Sequence, residues 1–107
     1  MSAEQAVLRV GELPDAPLDA AEVFFGGYLA QARQLLGEGA ASLVIALPDA
    51  PQDHDDWRRA LARDLARAYA PQRVNVVAEG RSGSANEILE FLGYAPGVTG
   101  QYIPAHV

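Results

Sequence analysis

Asp53-His54-Asp55-Asp56 sets three carboxylates around one imidazole, and such groups bind divalent metals. The same residues suit the first turn of a helix, where acidic side chains meet the positive end of the dipole. With Asp53 as N-cap and Asp56 at the third helical position, capping accounts for the cluster, and no metal is expected. Four arginines follow: Arg58, Arg59, Arg63 and Arg67. Such a set could grip phosphate or an acidic partner, although a solvated helix face is the expectation. Ser82 and Ser84, with Gly80 and Gly83, could cradle an anion at a helix start; a simple capped turn is the default reading. His106, next to the last residue, reads as solvated.

Absent residue types narrow the chemistry further. All eight basic side chains are Arg, and the chain contains no Lys and no Cys. Schiff-base chemistry, a phosphate-loop lysine and a Tyr–Lys pair cannot be supplied by these residues. Neither can a thiolate metal site or a disulfide. The net charge of −6 argues against nucleic acid as a partner. No apolar run approaches the ~20 residues of a membrane span, and MSAEQAVLRV lacks the pattern of a signal peptide. Cytoplasm is the expected compartment.

The elements that must position these residues are legible from periodicity. With 107 residues, 50% hydrophobic and 21% charged, one globular domain over residues 1–107 is expected. Ala6 to Val10 reads as a strand closed by Gly11. From about Ala20 to Leu36 the spacing of Val23, Phe24, Tyr28, Ala32 and Leu35 predicts one helix, weakened by Gly26 and Gly27. Ala41 to Leu47 is a continuous apolar run, the signature of a strand buried on both faces of a parallel sheet. A helix is predicted over Asp53 to Tyr69, with Trp57, Leu61 and Leu65 as its apolar stripe, stopped by Pro71. Arg73 to Ala78 is the next strand. Ser84 and Glu87 form a capping box before a short helix to about Leu92. Gln101 to Ile103 closes the order β-α-β-α-β-α-β: an α/β domain with a parallel sheet of about four strands and three helices.

Two stretches carry a family resemblance. Leu61 to Gly80 reads LARDLARAYAPQRVNVVAEG, and VTGQYI begins at Val98. Together they resemble the C-terminal half of the short-chain dehydrogenases/reductases, and GGYLAQARQLL from Gly26 resembles that family's helix after its fourth strand. The resemblance implies a Rossmann-like half domain with its four strands in sequential order, and it implies an absence of chemistry. The family's glycine-rich dinucleotide turn has no counterpart in these residues. The position of its catalytic Tyr falls at Pro51 and that of its Lys at Asp55. The segment after the fifth strand, LPDAPQ, offers no hydroxyl for the catalytic Ser. The Pro of the family's "PG" is Glu79. A truncated, non-catalytic domain with no bound cofactor is therefore expected.

The resemblance also implies association. The family dimerises through the two helices that correspond to Gly26–Leu36 and Trp57–Tyr69. Gly26, Gly27, Ala30, Trp57, Ala60 and Leu61 are the expected interface, with a second copy or a related full-length dehydrogenase as partner. Part of one sheet face and the edge of the first strand should be left uncovered. A small-ligand or nucleotide-binding module at the strand carboxyl ends, or one half of an enzyme completed by another chain, are the alternatives.

Overall fold

The computed structural model describes residues 4–80 and 85–104. Four strands, β1 (Gln5–Arg9), β2 (Ser42–Pro48), β3 (Arg73–Glu79) and β4 (Tyr102–Ile103), form one parallel sheet in the order β1-β2-β3-β4. The helices are α1 (Pro17–Gly27), α2 (Leu29–Gly37), α3 (Asp55–Tyr69) and α4 (Ala85–Gly93). Both expectations of parallel pairing and sequential order hold.

Strand alternation sorts the side chains into two layers. Leu8, Leu43, Ile45, Leu47, Val74 and Val76 face α1, α2 and α3, where Phe24, Leu36, Leu61 and Leu65 meet them. Val44, Ala46 and Val77 face the other way and are covered by Leu89 and Leu92 of α4, with Val98 and Ile103 beside them. The first two crossovers run over one face and the third runs over the opposite face in the same lateral direction. The third is therefore opposite in hand to the other two, against the usual uniformity of such connections.

Among the described residues β1 pairs only with β2 and so presents the expected open edge. On the α4 side of this edge strand Val7 is 37% exposed, while the central strands are sealed.

Among the described residues the helix count is corrected from three to four. The run that reads as one helix breaks at Tyr28, whose φ of −113° departs from helical geometry. Gly26 and Gly27 precede the break and hold a helical backbone weakly. The Gln31 side chain donates to the Gly27 carbonyl at 3.2 Å and partners the loosened turn. At the other end of α2, Gln72 Nε2 donates to the carbonyls of Leu36 at 2.8 Å and Ala40 at 2.7 Å. The helix end and the following loop thus share one amide.

The start of α3 is also corrected. Asp53 does not cap it: a 3-10 turn, Gln52–His54, comes first, and α3 begins at Asp55 with no side-chain cap bond. His54 is drawn inward and buried instead. Asp55 and Asp56 still lie in the first helical turn. Asp55 pairs with Arg59 at 3.7 Å, as the i,i+4 spacing predicts.

Candidate functional site

The carboxyl ends of parallel strands are where α/β domains place ligands. Here the loops after β1 and β2 enclose a cleft of about 320 Å³. Val10 donates to the Ala46 carbonyl at 2.9 Å, and Asp49 to the Glu79 carbonyl at 3.2 Å, extending the sheet into the cleft's base. Pro51, at the position the resemblance gives to the catalytic tyrosine, lies in its wall. Asp55, at the lysine's position, is engaged with Arg59.

His54 ties the cleft together. Its Nε2 lies 2.8 Å from the Asp15 carbonyl, and Trp57 Nε1 lies 3.2 Å from its Nδ1. An indole N–H can only donate, so Nδ1 accepts and Nε2–H donates to the Asp15 carbonyl. The imidazole is consumed as a neutral strut between the loop after β1 and the first turn of α3. Among the described residues, no group of three His, Asp or Glu side chains is placed to hold a metal ion.

Arg58 overturns the reading of the four arginines as one solvated face. Its side chain is 1% exposed and forms part of the cleft wall. The guanidinium stands 5.4 Å from the centre of the Trp57 ring and 5.8 Å from that of Tyr102, at cation–π distance. Nη1 donates to the Tyr102 hydroxyl at 3.3 Å, and Nε has no hydrogen-bond partner. The missed signal is helical spacing: Arg58, Ala62 and Leu65 fall at i, i+4 and i+7, and all three are buried. Arg59, Arg63 and Arg67 are exposed, as expected of a solvated face. Together with Thr99, Gly100 and Gln101 they line a shallow groove of about 430 Å³.

A third concavity, about 270 Å³, opens between α1–α2 and α3 on their outer side. Phe25, Leu29, Leu61 and Tyr69 line it, with Arg33 and Asp64 among its walls. Of the residues predicted to meet a partner, Gly26, Gly27, Ala30 and Ala60 are exposed, Trp57 is partly buried and Leu61 is buried. No atom outside the immediate backbone lies within 4 Å of where a Cβ would stand at Gly26 or Gly27. The glycines face open space rather than a helix of this chain. Ser82, Gly83, Ser84 and His106 lie outside the described residues, and with them the capping box and the serine turn.

The two stretches that carry the resemblance lock onto each other. Asn75 is 1% exposed; its Nδ2 donates to the Val98 carbonyl at 3.0 Å and its Oδ1 accepts from Gln101 N at 3.1 Å. Val74 N donates to Thr99 Oγ1 at 3.0 Å, and Gly100 N to the Val74 carbonyl at 2.7 Å. Gly100 has φ of +73°, which a side chain at this site would strain. Arg-Val-Asn and Val-Thr-Gly-Gln are thus two halves of one hydrogen-bonded joint that seats β4 beside β3.

Sheet order, helix placement and this joint define the chain as a Rossmann-like α/β domain. A family model described as short chain dehydrogenase-like protein matches residues 8–105, and the chain belongs to that family. Neither a curated protein nor a solved structure matches it significantly.

Proposed function

We propose that this chain is a non-catalytic member of its family that works by association, with a second copy of itself seated on the outer face of α1, α2 and α3. The apolar groove between α2 and α3 carries this reading. Phe25, in its lining, is 46% exposed, and Leu29 and Tyr69 beside it are half-buried. Exposed apolar groups of this size, gathered beside a groove, mark an interface. Arg33 and Asp64 border the groove with opposite charges, and neither forms an ion pair among the described residues. A two-fold axis would bring Arg33 of one copy to Asp64 of the other, as an isologous contact requires. Gly26, Gly27, Ala30 and Ala60 add small side chains that let helices approach closely.

The absence of catalysis is supported by residue type. The proton transfer that the resemblance implies runs through a Tyr–Lys pair. Pro51 cannot titrate, and Asp55, where the resemblance puts an ammonium, brings the opposite charge.

Light scattering on the purified chain at micromolar concentration tests the reading. A dimer is expected, broken by Phe25→Asp and by Arg33→Glu, and restored when Asp64→Arg is added to Arg33→Glu. A monomer would overturn self-association, and a mixed dimer formed only with a full-length relative would move the partner to that protein. Oxidation of a nicotinamide cofactor by the chain alone would overturn the non-catalytic reading.

A further inference from the structure

Arg58 is the one place where this chain buries a charge without an ionic partner among the described residues. A guanidinium presents five N–H donors, and burying it without pairing is costly. The aromatic faces of Trp57 and Tyr102 compensate part of that cost. They leave the in-plane donors underused, since Nη1 donates to the Tyr102 hydroxyl while Nε has no partner. A planar fork of donors in a cleft wall is built for a carboxylate.

The rest of the cleft says which carboxylate. Glu12, Asp15 and Asp49 also line it and are exposed, so the mouth is anionic while the buried wall is cationic. A phosphate dianion would meet repulsion at that mouth. A molecule with one carboxylate and one ammonium satisfies both ends. Leu13, Pro48 and Pro51 add an apolar wall, and a volume of about 320 Å³ suits a small molecule. His54 does not compete, because both ring nitrogens are engaged.

We propose that the cleft at the carboxyl ends of β1 and β2 binds an aliphatic α-amino acid, its carboxylate on Arg58 and its ammonium toward Glu12 and Asp15. The cleft shares no lining residue with the groove used in the association proposed above.

Nuclear magnetic resonance on the full chain, labelled with nitrogen-15, tests this. The probes are the aliphatic L-amino acids, leucine methyl ester, 4-methylpentanoate and inorganic phosphate. At least one amino acid should move the Arg58 Nε–H and the Gly11 and Glu12 amides. The ester and the plain acid, each lacking one charge, should bind about tenfold more weakly or worse. Arg58→Met should abolish binding. Should that variant fail to fold, Glu12→Gln with Asp15→Asn, both at exposed positions, should weaken the amino acid about tenfold while sparing 4-methylpentanoate. Silence from every amino acid, an ester that binds as well as its acid, or preference for phosphate would each overturn the proposal.

Discussion

Arg9 Nε lies 3.3 Å from Glu79 Oε2, although the two residues sit on strands separated by β2. By the strand register Arg9 stands level with Ala46, whereas Glu79 stands level with Pro48. The pair therefore runs diagonally across the end of the central strand. It spans the α4 side of the sheet, where β1 is least covered. Glu79 occupies the position that the family's "PG" gives to proline, and its charge is used to hold an edge strand.

This ion pair should contribute little. The Arg9 side chain is 51% exposed and the Glu79 side chain 29% exposed, so solvent screens their attraction. Arg9→Gln is expected to lower unfolding free energy by about 1 kcal/mol or less. The difference should shrink as salt is raised. Urea titrations of both proteins at low and high ionic strength check both statements.

Asn75 should matter far more. Asn75→Ala leaves the Val98 carbonyl and the Gln101 N–H without partners in a buried joint, at a cost of about 1–3 kcal/mol for an unsatisfied group. Asn75→Asp should be worse than Asn75→Ala, because a carboxylate cannot donate to the Val98 carbonyl and is itself buried. Chemical denaturation gives the order directly. Equal stability of the alanine and aspartate variants would refute the hydrogen-bond account.

His54 offers a test of the strut. Its nitrogen-15 spectrum should show the tautomer with the proton on Nε2. His54→Ala should cost about 1–3 kcal/mol, since the Trp57 indole N–H and the Asp15 carbonyl both lose a partner. Trp57 fluorescence should shift as its surroundings loosen. A spectrum with the proton on Nδ1 alone would contradict the hydrogen-bond assignment.

Much of this architecture was legible in residue order. Ala41 to Leu47 is apolar without alternation, a pattern that fits a strand covered on both sides, and Arg73 to Ala78 reads as the next strand. Both are central strands here. The pairing of Arg-Val-Asn with Val-Thr-Gly-Gln was visible as a resemblance but not as a joint. Its bonds join residues more than twenty positions apart, beyond any local pattern. The break at Tyr28 was hidden because the apolar spacing of Phe24, Tyr28 and Ala32 continues across it. Arg58 was misread by its chemistry. Charge argues for solvent, whereas its spacing from Ala62 and Leu65 argues for the core, and the flanking Trp57 and Tyr102 rings let position override charge. Asp53 was misread because a 3-10 turn ahead of α3 depends on where His54 finds its acceptor, the Asp15 carbonyl, far off in sequence.

The third strand has a role that its length conceals. Val74 and Val76 belong to one apolar layer and Val77 to the other, while Asn75 between them anchors a neighbour of only two residues. A ladder that short holds little on its own. Loss of either layer would strip β3 of half its cover and release the anchor for β4, so the two sides of the sheet stand or melt as a single cooperative unit.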